Sequence, residues 1–332
     1  MRVPSGAARA GAAFRRPSGT RSHTVGVHAI LALALGATHT LAGASLRALA
    51  VGIALHLGKV AAEARSWHGI VRHAHPESRL RFRTTLGAFA GAIGANAVLP
   101  ARVGEALRLG IVRRRLPGST VATIAGTIVL ETAIEIVFGI VVIVIVLLSG
   151  RSVGQIGTPA TLAQSHPMML PAAGVVALAI VFVGLVSRRR VMRAVAAMGR
   201  GMSVTRAPRT LLRGVMIWKL LAWTLRFAAV YFFLIAFHVG GGLWVILLVV
   251  AAQNLAGLLP LAPGGAGTQQ AALALALAGT VATSAIVGFG VGMQGATALA
   301  DVAVGVVALA LVSSWSDVRA ALRPARRRLA SA

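Results

Sequence analysis

The sequence predicts an all-α, polytopic integral membrane protein, and three observations support this fold class. Of the 332 residues, 57% are hydrophobic and only 12% are charged, whereas about a quarter of the residues of a soluble globular domain are charged. The mean hydropathy is +0.82. Several apolar runs between residues 25 and 313 exceed the roughly 20 residues that a helix needs to cross a bilayer core.

The charge balance is strongly basic, at +26 from 33 Lys and Arg against 7 Asp and Glu. In a soluble protein this imbalance would favour a nucleic-acid partner. Here the basic residues lie in short segments between apolar runs, and aromatic residues make up only 5% of the chain, too few for a base-stacking surface. We therefore expect contact with anionic lipid headgroups and no nucleic-acid partner.

Several kinds of chemistry are disfavoured by the residue types. The chain has no Cys, which excludes disulfides, thiolate metal sites and thiol catalysis. The histidines have no metal-ligand spacing, and Gly264-Gly265-Ala266-Gly267 lacks the strand and helix that flank a dinucleotide loop. We expect no metal, no cofactor and no enzymatic activity; an intramembrane lipid-modifying enzyme with Glu131 or Glu135 as general base is the least favoured alternative.

We predict six spans and two hairpins. The spans are 25–43, 44–64, 118–149, 169–187, 212–238 and 284–313. The hairpins, 84–116 and 244–282, each turn at a proline, and two short full crossings are the alternative in each case, which would give eight spans. A membrane domain over 23–316 is then flanked by basic tails, 1–22 and 317–332. We expect the first tail to be disordered, with a transit peptide or a twin-arginine signal as alternatives.

Loop charge predicts the topology. Arginine clusters at 65–83, 113–115, 188–209 and 319–328 place these segments and both termini in the cytoplasm, whereas 150–168 and 238–242 are placed outside. The halves, about 23–150 and 168–316, then have opposite orientations, which is an inverted repeat. We expect the protein in the plasma membrane.

A short motif recurs in the two hairpins. Leu99-Pro100 is followed by Gly104, and Leu259-Pro260 is followed at the same spacing by Gly264. Broken helices at matching positions of two halves indicate a substrate site; because the match is short, chance similarity is the alternative. Unwound backbone in a bilayer must be satisfied by protein or water, so each break predicts a polar cavity.

A charged cluster follows the first break. Arg102, Glu105 and Arg108 are spaced i,i+3 and share one helix face. Two guanidinium groups at this spacing can hold a phosphate, while the carboxylate orients them or meets an amine. The alternative is an ion-paired helix start at the interface.

Two acids lie one turn apart in a long apolar span, Glu131 and Glu135. They must meet a cation or water, or be protonated. A structural salt bridge and a transport role both remain open for them, and the same two alternatives hold for Asp301. The available cations are Lys219, Arg226 and the pair Arg102 and Arg108.

Three isolated polar residues, His56, His238 and Gln253, also lie in or beside apolar segments. A lone histidine or amide there more often forms a hydrogen bond to a neighbouring helix than binds a ligand. We expect that structural role for all three.

At these residues the chain resembles the lysylphosphatidylglycerol synthase/flippase transmembrane-region family, over about residues 25–313. The family pattern Asn-x-x-Leu-Pro-x-Arg-x-Gly-Glu-x-x-Arg is matched by Asn96, Leu99, Pro100, Arg102, Gly104, Glu105 and Arg108. A later Pro-Gly-Gly-x-Gly-x-x-Glu pattern is matched by Pro263, Gly264, Gly265 and Gly267.

The chain departs from the family at three positions. Glu131 matches the Glu of a Glu-Arg pair, but Thr132 replaces the Arg, and Glu135 stands where Asp is usual. Gln270 replaces the acid of the later pattern. The resemblance therefore implies a cavity that has lost one positive and one negative charge, with a changed headgroup preference or ion coupling.

In full-length relatives of this family, a cytosolic domain transfers lysine from aminoacyl-tRNA to phosphatidylglycerol, and the transmembrane part is implicated in moving the product between leaflets. This chain ends at Ala332, so we expect it to transport or present lipids rather than make them. The expected partners are anionic or aminoacylated membrane lipids. The alternative is a non-transporting scaffold or accessory subunit for a cytosolic lipid-modifying or glycosyl-transferring enzyme.

The candidate substrate site collects the residues of both breaks and the two acids. Its members are Asn96, Pro100, Arg102, Gly104, Glu105, Arg108, Glu131, Glu135, Asn254, Pro260, Pro263, Gly264, Gly265, Gly267 and Gln270.

Overall fold

The structure is a computed structural model that describes residues 42–99, 103–149, 199, 201–240, 242–257, 267–279 and 283–312. In these ranges the regular elements are all helical, as predicted. A short 3₁₀ turn, Ser203–Arg206, precedes the helix that begins at Pro208, and this helix contains one π-helical turn, Leu212–Met216. The helices are α1 Leu46–Ala74, α2 Phe82–Val98, α3 Val103–Arg115, α4 Val121–Leu148, α5 Pro208–Ala236, α6 Leu243–Gly257, α7 Thr268–Leu277 and α8 Thr283–Val312.

Three helices in the described ranges are long and apolar enough to cross a membrane: α4, α5 and residues Ala285–Leu311 of α8. Their outward faces carry large apolar side chains, such as Val137 at 58% and Leu299 at 75% exposure. Apolar surface of this extent is unfavourable in water and is covered by hydrocarbon in a bilayer. These helices confirm the predicted membrane protein.

The predicted span 44–64 is a helix, but its predicted end is wrong. Helix α1 continues to Ala74, because Trp67, Ile70 and Val71 are buried against neighbouring helices and hold the basic end of α1 in place. Helix α1 also carries Lys59 and Glu63 in its apolar part. The predicted span 169–187, nearly all of 25–43, and the tails 1–22 and 317–332 lie outside the described residues.

Each predicted hairpin contains two helices that pack against each other. In the first, α2 ends at Val98 and α3 begins at Val103; in the second, α6 ends at Gly257 and α7 begins at Thr268. The two halves of the chain interlock, since the most extensive helix interfaces join α1 to α5 and α2 to α8.

Small residues allow the backbones to meet at both of these interfaces. A Cβ on Gly69 of α1 would overlap the carbonyl oxygen of Gly214 in α5, and Ser66 donates a hydrogen bond to the carbonyl of Val215, 3.2 Å away, in the π-helical turn. A Cβ on Gly94 of α2 would lie 2.7 Å from the Asp301 carbonyl oxygen of α8. Close backbone approach at small residues is typical of helix packing in membranes.

Candidate functional site

A cavity of about 670 Å³ opens between helices of both halves. Residues of α1, α2, α3, α4, α7 and α8 line it, and we call it the central cavity. Five of the seven acidic residues of the chain meet there, although the chain as a whole is strongly basic. These acids are Glu63, Glu105, Glu131, Glu135 and Asp301.

Arg108 of α3 is the most enclosed cation of this wall. It is only 3% exposed, and its Cζ lies 4.8 Å from the ring centroid of Trp67 and 5.2 Å from that of Phe89. Its Nε lies 2.5 Å from a carboxylate oxygen of Glu105, and its Nη2 donates to Glu131 at 3.2 Å. Two rings and two carboxylates thus hold Arg108 between α3 and α4.

The two acids of α4 meet cations of α5. Lys219 is fully buried, and its Nζ lies 3.0 Å from Glu131 Oε1 and 2.8 Å from Glu135 Oε2. Arg226 Nη1 lies 3.4 Å from Glu135 Oε1, and Trp223 Nε1 donates to Glu135 Oε2 at 3.3 Å. Three of the predicted partners, Lys219, Arg226 and Arg108, therefore contact these acids.

Arg226 also positions the amide of Gln253. Its Nη2 donates to Gln253 Oε1 at 3.2 Å, which joins α5 to α6. This is the structural role expected for Gln253, and it extends the ion-pair chain to the second hairpin.

One hydrogen-bonded pair and one ion pair complete the network on α1 and α8. His56 Nε2 lies 2.8 Å from Asp301 Oδ1, so His56 bonds a neighbouring helix, as expected. Lys59 Nζ lies 3.3 Å from Glu63 Oε1, one turn along α1. Lys59 and Glu63 were not among the predicted site residues, although two opposite charges spaced i,i+4 within an apolar run are the signal that would have indicated them.

The first break is fixed by two residues of the repeated motif. The backbone N–H of Gly104 donates to Asn96 Oδ1 at 2.7 Å, which satisfies a free amide in the first turn of α3. Asn96 also lines the central cavity. Gly104 packs against α2 and is buried, so its contribution to the site is the close approach of the two helices.

The second hairpin contributes an amide pair. Gln270 Oε1 accepts a hydrogen bond from the backbone N–H of Gly267 at 2.7 Å, and Gln270 Nε2 donates to Gln294 Oε1 of α8. Gly267 has φ of 83°, a conformation that favours glycine. A neutral amide thus caps the start of α7 at the position where the family has an acid.

A second cavity of about 620 Å³ shares Asn96, Glu105, Glu131 and Glu135 with the central cavity. Asn254 and Thr132 line it from α6 and α4. The Nδ2 group of Asn254 is buried and has no hydrogen-bond partner within the described residues. The carboxylates of Glu105, Glu131 and Glu135 are therefore shared by the linings of the two cavities.

Six predicted site residues, Pro100, Arg102, Pro260, Pro263, Gly264 and Gly265, lie outside the described residues. The position of Arg102 relative to Glu105 and Arg108 therefore stays a prediction. Among the residues that are described, no group of three His, Asp or Glu side chains could hold a metal ion.

The comparisons with known proteins bear on the same part of the chain. Neither the curated proteins nor the solved structures give a match. The family described as the lysylphosphatidylglycerol synthase TM region matches residues 24–305, a range that includes both hairpins and the whole ion-pair network. The chain therefore belongs to the lysylphosphatidylglycerol synthase TM region family, and it is a membrane protein related to lipid handling.

Proposed function

We propose that the protein binds a phospholipid or a lipid-linked substrate in the central cavity and moves it between the two leaflets. The observation that supports this most directly is a set of ionic groups around a cavity among membrane helices, where four carboxylates meet Lys59, Arg108, Lys219 and Arg226 and a fifth, Asp301, meets His56. Charged groups are unfavourable at membrane depth and mark functional sites there.

The dimensions of the site suit a lipid headgroup. A cavity of about 670 Å³ lies within the range of about 300–1,000 Å³ that is typical of small-molecule sites. The outer faces of α4 and α8 are apolar. A lipid can therefore leave its acyl chains in the hydrocarbon while its polar headgroup occupies the cavity.

We assign headgroup recognition to the cluster of Arg102, Glu105 and Arg108. Arg108 already contacts two carboxylates, so its charge is neutralised and its main role is to position Glu105. Arg102 then supplies the net positive charge for a phosphate. The side chain of Glu105 is 37% exposed and can meet an amine, which makes an anionic or an aminoacylated phospholipid the preferred substrate.

The route across the membrane follows from the hairpins. Helices α2, α3, α6 and α7 have 17, 13, 15 and 10 residues, and a spanning helix needs about 20. We propose that both hairpins enter the membrane from opposite faces and return, within six full spans arranged as an inverted repeat. Alternate exposure of one site to each leaflet is the transport mode of such repeats.

A leaflet-transfer assay tests this proposal. Purified protein is reconstituted into vesicles that contain fluorescent phosphatidylglycerol or its lysyl ester, and the fraction of probe that reaches the opposite leaflet is measured over time. Glu105→Ala and Arg102→Ala should abolish transfer while the protein keeps its elution volume in detergent. Glu77→Ala is the matched control, because Glu77 is exposed and outside the cavity lining. Transfer by Glu105→Ala at the rate of the unmodified protein would contradict the assignment.

One observation favours the scaffold alternative. Arg79, Arg81, Arg83 and Arg115 line a cleft of about 370 Å³ on the side predicted to be cytoplasmic. A basic surface of this kind can dock an acidic enzyme beside its lipid substrate. Stoichiometric co-purification of a lipid-modifying or glycosyl-transferring enzyme that is lost on Arg81→Glu, together with no lipid transfer by the pure protein, would favour this function over transport.

A further inference from the structure

We propose that His56 and Asp301 form a proton-binding site that controls the contact between α1 and α8. Its coupling to lipid transfer rests on the proposed function above, but the proton site itself does not. The two side chains lie in the wall of the central cavity, 245 residues apart in the sequence, with His56 Nε2 and Asp301 Oδ1 separated by 2.8 Å.

The first argument is the charge balance of the cavity network. Among the described residues the network contains five carboxylates, and Lys59, Arg108, Lys219 and Arg226 supply four permanent positive charges within 4 Å of them. One carboxylate is left over. Counted over the described residues alone, the network is neutral only when His56 carries a proton.

The second argument is the pairing of Asp301. Glu63, Glu105, Glu131 and Glu135 each contact at least one Lys or Arg. In the described part of the chain, Asp301 is paired with His56 and with neither a Lys nor an Arg. Histidine is the side-chain type that ordinarily changes charge between about pH 5 and 8, whereas the Lys and Arg partners of the other four acids are permanent cations, so the partner of Asp301 is the one suited to exchange a proton.

The third argument is the position of the pair in the packing. Helix α1 packs mainly on α5, and α8 packs mainly on α2. The His56–Asp301 bond crosses between these two packed pairs at the level of the cavity. The side chains are 16% and 14% exposed, so the bond is shielded enough to be strong and open enough for water to reach it through the cavity.

The charged groups on the surrounding helices are already paired, which limits other partners for Asp301. On α1 these are Lys59 and Glu63, on α3 Glu105 and Arg108, on α4 Glu131 and Glu135, and on α5 Lys219 and Arg226. The neighbouring polar residues of α2, α7 and α8 include Asn96, Gln270 and Gln294, which carry no charge.

The inferred switch has two states. With the proton bound, an imidazolium and a carboxylate form a charge-assisted hydrogen bond, which is about twice as strong as a neutral one, and α1 stays attached to α8. When His56 releases the proton to water, Asp301 loses its counter-charge and the attachment weakens. The cavity then opens along the seam between α1 and α8.

The absence of Cys in the chain permits a direct measurement of this seam. Ala54 on α1 and Ala303 on α8 are exposed, so both can be changed to Cys and spin-labelled in the full-length protein. Distance distributions from pulsed electron paramagnetic resonance are recorded in lipid nanodiscs at about pH 6 and about pH 8, on either side of histidine titration. We expect two label-to-label distances, with the shorter one favoured in acid. The ratio of the two populations should change by about tenfold or more between the two pH values.

Two variants remove or fix the switch, and a third is a control. His56→Gln should give the alkaline distribution at both pH values, and His56→Lys, which keeps a permanent charge, should give the acid distribution at both. His238→Asn is the control, because His238 bonds the Gly43 carbonyl away from the cavity and should leave the pH response intact. The proton site would be overturned if the distances still respond to pH in His56→Gln. It would also be overturned if they do not respond in the spin-labelled protein that keeps His56.

Lipid transfer is measured separately in vesicles at the same two pH values. If the unmodified protein transfers lipid, its rate should change by about tenfold between them, and His56→Gln should lose that dependence while it still transfers. If the unmodified protein transfers no lipid but the distances respond to pH through His56, the proposed function fails and the proton site stands. Transfer with the same pH dependence in His56→Gln would overturn the coupling.

Discussion

The side-chain oxygen of Asn96 accepts a hydrogen bond from the backbone N–H of Gly104 at 2.7 Å, which joins the end of α2 to the start of α3. The eight-residue spacing of the two residues lets the chain reverse direction between them and return within hydrogen-bond distance. Gly104 is required because a Cβ there would overlap the carbonyl oxygen of Ala92 and lie 2.6 Å from Asn96 Oδ1. Two positions of the family pattern therefore have a structural explanation.

Gly104→Ala should destabilise the first hairpin. The added methyl group meets backbone atoms that cannot move without separating α2 from α3, and overpacking of this kind costs about 1–3 kcal/mol. The measurement is the thermal midpoint of the detergent-solubilised protein. Gly295→Ala is the matched control, since Gly295 is also helical and a Cβ there meets open space; an equal fall in both variants would contradict this explanation.

Lys219→Met should lower the stability of the protein by about 3–5 kcal/mol, because it leaves buried carboxylates without their cation. The affected groups are Glu131 and Glu135, which Lys219 contacts at 3.0 and 2.8 Å. The double variant Lys219→Met with Glu131→Gln should recover part of the loss, since it removes one of the unpaired charges. Arg113→Met, at an exposed position of α3, should have little effect. If the loss of stability in the double variant equals the sum of the losses from its two substitutions, Lys219 and Glu131 are not coupled.

Arg108→Lys should be destabilising even though it keeps the positive charge. A lysine cannot contact two carboxylates with a planar fork while stacking on Trp67 and Phe89. We expect a loss of about 2 kcal/mol from the missing hydrogen bond to a charged group and the weaker cation–π contact. The comparison is Arg113→Lys, measured by the same thermal assay. Equal stability of the two variants would mean that only the charge at residue 108 matters.

Gln270→Glu restores the acid of the family pattern and should shift headgroup preference. Its carboxylate can still accept the bond from Gly267 N–H, as Gln270 Oε1 does at 2.7 Å, and it adds one negative charge to the cavity wall. A partly exposed charge pair contributes about 0.2–1 kcal/mol, so transfer of the lysyl ester relative to phosphatidylglycerol should rise up to about fivefold. Glu77→Gln serves as the control for a change of charge elsewhere. An unchanged ratio of the two rates would separate Gln270 from headgroup recognition.

Much of the helical framework could be predicted from the sequence, because span length and apolar composition are local properties. The partners of the two acids of α4 could also be predicted from the sequence. Few cations lie within apolar segments, so Lys219 and Arg226 were among the few candidates. The end of α1 was wrongly predicted since burial of Trp67 and Val71, which extends the helix, depends on tertiary contacts. The contact of His56 with Asp301 joins residues at opposite ends of the chain, and no local pattern indicates it.

The role of Arg108 also needed the structure. Its spacing from Glu105 was evident, but its enclosure by Trp67 and Phe89 depends on how α1, α2 and α3 pack. The sequence therefore indicated the pairing of Arg108 with Glu105 but not the two rings that enclose it, and its part in substrate binding stays a prediction.

The meeting of Gly69 with the Gly214 carbonyl limits how α1 and α5 can move. Their backbones already touch at that level, so α1 and α5 cannot move closer together there, and this contact can serve as the hinge of a tilt of α1. His56 lies 13 residues before Gly69 along α1, which is about 20 Å of helix. A tilt of about 6° at the hinge would therefore displace His56 by about 2 Å, enough to break its bond with Asp301 while the hinge itself stays closed.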